Sequence, residues 1–162
     1  MTDETKPIDP RVSIGHVHLK VSDLERSLEF WCGILGFELV QRYGEQAAFI
    51  SAGGYHHHIG LNTWESLGAP PPPRRATGLF HVAVLYPDRA SLADAVRRLL
   101  AARWPLEGAS DHGVSEAIYL SDPDANGVEL YWDRPREAWP TSDDGSIAMF
   151  TGPLDLDALL AE

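Results

Sequence analysis

The chain has one cysteine, Cys32, in 162 residues. No disulfide can form within it, so stability must come from a packed core. Basic residues are also few: 13 Lys and Arg stand against 24 Asp and Glu, for a formal charge of −11. With no Lys/Arg stripe to neutralise phosphates, nucleic acid is not an expected partner. Long hydrophobic runs are missing too. No stretch approaches the roughly 20 apolar residues that carry a helix across a bilayer. The N-terminus, MTDETKPIDPR, has no apolar signal region, so a cytoplasmic location without a membrane partner is expected. Cys32 falls beside Trp31 in a stretch of helical spacing, where a buried structural thiol is expected rather than a nucleophile.

What is present describes a globular protein. Hydrophobic residues make up 44% and charged residues 23%, with five tryptophans, and one domain of this length buries about two-thirds of its unfolded surface. Residues 1–12 are polar and hold two prolines, which predicts a flexible arm. IGHVHLKV then alternates in the manner of a strand, with His16 and His18 on one face. Ser22 opens SDLE, a capping-box pattern, and Leu24, Leu28, Trp31 and Leu35 keep helical spacing until Gly36 closes the helix. FELVQRY, AAFISA and YHHHIGLNTW read as three further strands. The unit is β-α-β-β-β over residues 13–65.

Four consecutive prolines in SLGAPPPPRRATG predict a stiff connector over residues 66–77. The chain then repeats itself over residues 78–135. LFHVAVLY places His81 65 residues after His16, and Asp88 follows His81 by the seven residues that separate Asp23 from His16. A helix is expected near Ala90–Ala102, with Leu92, Val96, Leu99 and Leu100 inward. AIYLSD and GVELYWD supply closing strands. Two such units can pair into one curved mixed sheet, an α+β architecture, with repeat-related positions facing a shared cavity. The tail, 136–162, ends in a short amphipathic helix with Leu154, Leu156, Leu159 and Leu160 on its apolar side.

That arithmetic gathers His16, His81 and Glu129, with His57 opposite Glu129. Two imidazoles and one carboxylate from separate strands suit a facial triad that leaves coordination positions open, as in non-haem Fe(II) sites. Mn(II), Zn(II) and Ni(II) accept the same ligands. A carboxylate between Val128 and Leu130 is costly unless a cation compensates it. His18 shares the face of His16 and is the alternative ligand. His112, in GASDHGVSEAIY, is a candidate substrate contact at the cavity mouth, and Trp132 a candidate cavity wall beside the metal.

The spans IGHVHLKVSDLERSLEFWCGILGFEL, GLFHVAV and NGVELYW resemble the vicinal oxygen chelate superfamily, which includes glyoxalase I, fosfomycin-resistance and bleomycin-binding proteins and extradiol ring-cleaving dioxygenases. The resemblance covers residues 13–135 and implies a paired β-α-β-β-β fold with His16, His81 and Glu129 as metal ligands. YHHHIGL is similar to the motif of the extradiol dioxygenases, in which the second histidine of a pair acts as acid/base. That role maps to His57, or to His58 if strand parity is shifted. Tyr119, ten residues before Glu129, matches their substrate-binding tyrosine. The implied function is an Fe(II)-dependent extradiol dioxygenase acting on a catechol-type diol with O2, in a homodimer. The alternatives are a glyoxalase-like or fosfomycin-resistance-like metalloenzyme, or a small-molecule-binding resistance protein of the same fold.

Overall fold

The computed structural model describes residues 6–73 and 75–162. The first five residues of the expected arm and Arg74 of the proline-rich connector lie outside the described residues. The first unit runs β1 (Val17–Lys20), α1 (Leu24–Leu28), a π-helical turn (Glu29–Ile34), β2 (Glu38–Tyr43), β3 (Ala47–Ser51) and β4 (Ile59–Asn62). The second runs β5 (Val82–Leu85), α2 (Arg89–Ala101), β6 (Gly108–Asp111), β7 (Ser115–Ser121) and β8 (Gly127–Asp133). A 3-10 turn (Arg136–Ala138), β9 (Gly152–Pro153) and α3 (Leu156–Leu160) make the tail.

The repeated aspartates prove to be helix caps. Asp23 accepts a hydrogen bond from the Arg26 amide, and Asp88 accepts one from the Ser91 amide, each satisfying an amide that lacks an intrahelical partner. Ser22, expected as the first cap, instead donates its hydroxyl to Asp124 at 2.5 Å. Gly36 ends the π-helical turn at φ +87, a left-handed conformation that favours glycine.

Two mixed sheets result, in the orders β1-β4-β3-β2 and β5-β8-β7-β6-β9. In each, the first strand pairs in parallel with the fourth strand of its unit, and the other pairings are antiparallel. The architecture is α+β. β1 and β5 each occupy a sheet edge, so the continuous curved sheet expected from the repeat appears as two separate sheets.

One core serves both units. Leu24, Leu28, Phe30 and Trp31 pack in the same buried cluster as Leu92, Val96 and Leu99 of α2 and Ile118, Leu120, Val128 and Leu130 of the second sheet. Each such side chain contributes roughly 1.5–3 kcal/mol. Leu100, expected inward, is exposed. Asp124 ties the units together, accepting from Ser22 and from Arg26 at 2.7 Å, and Phe30 packs against Trp104 with ring centroids 4.7 Å apart. The tail docks on its own chain. β9 adds to β6, Leu159 of α3 is fully buried, and Arg89 and Arg97 of α2 donate to the carbonyls of Ala158 and Leu160.

Candidate metal and substrate site

The second sheet gathers a connected group of polar side chains. Glu129 lies directly opposite Tyr119 in the β7–β8 pairing, and His81 precedes β5, which runs parallel to β8. His81 Nε2 stands 2.9 Å from Glu129 Oε2. The Tyr119 hydroxyl is 3.2 Å from Glu129 Oε1 and 2.7 Å from His112 Nε2. His112 Nδ1 faces the Phe150 carbonyl oxygen at 3.1 Å and Thr151 Oγ1 at 3.3 Å. His112 thus contacts a tyrosine and the tail. Burial, and then the adjacent Glu129, push the Tyr119 hydroxyl up to about 12, so it remains a phenol near neutral pH.

The close approach of His81 to Glu129 depends on Gly127. A Cβ there would lie 2.0 Å from the Phe80 carbonyl oxygen, so only a residue without a side chain lets β5 settle along β8 at this point.

The first sheet holds the histidine-rich group. YHHH was expected inside a strand, but β4 begins at Ile59. The three histidines occupy the preceding loop, where pleat alternation does not order them. His58 Nδ1 turns back to the Ser51 hydroxyl at 3.0 Å. His57 packs on His16 with ring centroids 4.4 Å apart and on Phe49 at 5.0 Å, while its Nδ1 lies 2.8 Å from His56 Nδ1. Burial lowers the pKa of His57, and the neighbouring His16, His56, His18 and His58 lower it further. His18 lies over Gly60, whose added Cβ would meet the imidazole at 2.9 Å. Its ring centroid stands 5.5 Å from that of Trp64. Its pKa is also lowered, by burial first and then by His16.

The expected ligand set is therefore divided. His81 and Glu129 meet on one sheet, His16 sits with His57 on the other, and among the described residues no three His, Cys, Asp or Glu side chains converge as a metal site. The pair itself fits a metal. Its nitrogen and oxygen, 2.9 Å apart, match the roughly 3 Å between neighbouring ligands of an octahedral ion with bonds near 2.1 Å. His81 Nδ1 is buried without a partner among the described residues, so its polar contact is made through Nε2.

Trp132 packs against the core, two residues after Leu130 on the same face. Tyr131 is the residue that shares the face of Glu129, since side chains alternate along a strand. Sequence reasoning also missed Gly60, Gly127, Phe150 and Thr151. The NG dipeptide before β8 was a readable signal for Gly127; nothing local marked the tail residues.

Large apolar side chains flank both groups on the open side. Ile14 before β1 is 95% exposed and Phe80 before β5 is 87% exposed, with Leu79 and Leu85 more than half exposed. Exposed apolar surface of this kind marks interaction sites. No helix among the described residues is long and apolar enough to cross a membrane.

The chain is similar to several known proteins. Catechol-2,3-dioxygenase of Bacillus subtilis (strain 168) is 41% identical over 150 residues, 92% of this chain and 51% of that protein. The chain thus spans about half the length of that relative. A probable lactoylglutathione lyase of Synechocystis sp. is 28% identical over 120 residues, 71% of this chain and 91% of that protein. The structure of a glyoxalase/dioxygenase from Nostoc punctiforme superposes with a TM-score of 0.64 at 19% identity, covering 80% of this chain and 98% of that one. A family model described as Glyoxalase/Bleomycin resistance protein/Dioxygenase superfamily matches residues 13–130. By fold, by the repeated unit and by this match, the chain belongs to the glyoxalase/bleomycin resistance protein/dioxygenase superfamily.

Proposed function

We propose that the protein is a divalent-metal enzyme, an extradiol ring-cleaving dioxygenase that opens a catechol-type aromatic diol with O2 and uses Fe(II). The observation that carries this reading is the His81–Glu129 pair, 2.9 Å apart, with the Tyr119 hydroxyl against the same carboxylate. The B. subtilis catechol dioxygenase likeness supports it. His81 and Glu129 would hold the metal with His16. Bound there, Fe(II) would supply Lewis acidity and a redox centre for oxygen.

The protein's own groups have the remaining tasks. His57 takes a proton from a diol hydroxyl at Nε2, because its Nδ1 is engaged with His56. Its lowered pKa keeps it a neutral base at neutral pH. Tyr119, held as a phenol, orients the substrate oxygens by hydrogen bonding. His112 stands behind Tyr119, and Trp132 supports β8 from the core side.

Assembly of the site uses a second copy. The free edge of β1 in one chain lies along the free edge of β5 in the other, and Ile14, Leu79, Phe80 and Leu85 are covered. His16 and His57 of one chain then complete His81 and Glu129 of the second. The lyase alternative, with Zn(II), Ni(II) or Mn(II), is favoured by one observation: the Synechocystis lyase is matched over 91% of its length.

The test is anaerobic loading with Fe(II), then catechol and air, following oxygen uptake and the yellow ring-opened product. Wild type is expected to turn over. His57→Ala is expected to keep its metal and lose turnover by about 10²–10⁴-fold. Chains carrying His16→Ala or Glu129→Ala are each inactive as homodimers. Mixed before assembly, they recover about a quarter of wild-type activity if sites form across a two-fold interface, and none if each chain builds its own. Absence of oxygen uptake with metal bound, together with turnover of a thiol adduct, would select the lyase.

A further inference from the structure

The Tyr119 hydroxyl stands between His112 Nε2 at 2.7 Å, an acceptor only when that nitrogen is bare, and Glu129 Oε1 at 3.2 Å. A phenol has one hydrogen and cannot donate to both. Which acceptor receives it depends on the tautomer of His112, and that depends on what faces Nδ1. The Phe150 carbonyl, 3.1 Å away, can only accept, so Nδ1 must carry a hydrogen to bond it. Thr151 Oγ1 at 3.3 Å suits either tautomer, since a hydroxyl both donates and accepts. With the hydrogen on Nδ1, a neutral imidazole leaves Nε2 bare and able to receive the tyrosine hydrogen.

The Phe150 peptide is held firmly enough for this task. Its amide donates to the His112 carbonyl at 3.3 Å, so backbone and side chain of one histidine grip the two peptide units that flank Phe150. Gly113, at φ +77, admits the tail: a Cβ there would meet the Phe150 ring at 2.5 Å and Pro140 at 2.9 Å. Two residues on, β9 joins β6 through Asp111–Gly152 and Ser110–Pro153. Beyond it α3 is anchored by buried Leu159. The tail lies outside the matched residues 13–130.

We propose that the C-terminal tail sets the hydrogen-bond direction of this half of the site. The Phe150 peptide holds His112 as its Nδ1–H tautomer, and Tyr119 therefore donates to His112 Nε2 rather than to Glu129. His112 is a positioning residue. Its consequence, which rests on the metal reading above, is that both oxygens of Glu129 keep their lone pairs for a cation. Outer partners of this kind govern metal affinity without touching the ion.

The first test needs no metal. Long-range proton–nitrogen NMR of the metal-free full chain at neutral pH, with His112 assigned through His112→Gln, is expected to show hydrogen on Nδ1 and a bare Nε2. Hydrogen on Nε2, from the other tautomer or from an imidazolium, overturns the proposal. The second test is Co(II) titration followed by visible absorption. His112→Asn keeps a donor toward Phe150, but its carboxamide oxygen stops short of the position of Nε2, so the Tyr119 hydroxyl turns to Glu129 and affinity falls about 10-fold. Adding Tyr119→Phe removes that hydroxyl and is expected to restore affinity to the level of Tyr119→Phe alone, a rescue that structural damage would not show. Unchanged affinity in His112→Asn, or no rescue in the double variant, overturns the proposal. If wild type binds no Co(II), or Glu129→Gln binds it equally well, the metal reading falls and NMR alone decides the tautomer.

Discussion

The two sheets come from one repeated unit, yet they hold their polar groups in different ways. In the second, hydrogen-bonding distances run without a break from the tail through His112, Tyr119 and Glu129 to His81. In the first, His57 meets His16 and Phe49 ring to ring, and among the described residues no carboxylate is hydrogen-bonded to them. β6 of the second sheet, flanked by β9 of the tail, is half-buried, whereas its counterpart β2 in the first is exposed along its length. A duplicated scaffold thus offers equivalent positions, and the added tail makes one half a directed network while the other remains an open face. Among the described residues neither half brings three candidate ligands together, which is why the comparison bears on function.

The two glycines beneath the first strands give the sharpest way to break the comparison. Gly127→Ala sets a Cβ against a backbone oxygen and cannot be relieved by a side-chain rotation. A loss of about 3 kcal/mol is expected in urea unfolding, with the His81–Glu129 contact broken. A loss below about 1 kcal/mol would mean that the second sheet is as yielding as the first. Asp124→Ala removes the carboxylate that Ser22 and Arg26 share across the units. About 2 kcal/mol is expected, since a part-buried charge-assisted network is lost. Two separate unfolding transitions in that variant would show that the latch, more than the apolar core, couples the halves.

Gly60→Ala is the mild counterpart. Its Cβ meets the His18 ring, which can rotate away, so about 1 kcal/mol is expected, with a change in Trp64 fluorescence as the imidazole moves. The smallest effect is pH-dependent and belongs to the first sheet. His18 and His57 have folded pKa values below the ordinary imidazole value. In that window the unfolded chain binds more protons, so stability is full above about pH 6.5 and declines as pH falls toward the depressed values. Urea midpoints between pH 7.5 and 5 check this. His57→Gln should flatten the slope, and an unaltered slope would remove His57 as its source.

Much of the fold was legible because its signals are local. Alternation marked β1, short apolar segments between turn residues marked β3 and β8, a proline run marked the connector, and the paired aspartates that pointed to a repeat turned out to cap its two helices. Tyr119 was reached only through the resemblance, which sets a tyrosine ten residues before the glutamate; the structure pairs the two directly across the β7–β8 hairpin. The histidine triplet was misread for a related reason: a run of three identical residues has no periodicity, so nothing in it separated a strand from a loop. Trp132 was misplaced by one strand position, which sends a side chain to the opposite face.

The sequence by itself determined the repeated unit, its family and the residue types that suit a divalent metal. Those properties depend on neighbours a few residues apart and on a pattern carried twice along the chain. Tertiary structure alone decided that His16 and His81 lie on different sheets, that His57 is the histidine meeting His16, and that Phe150 faces His112. Those contacts join segments tens of residues apart, where sheet edges and tail compete for partners by shape and hydrogen bonding, and linear spacing leaves that competition open.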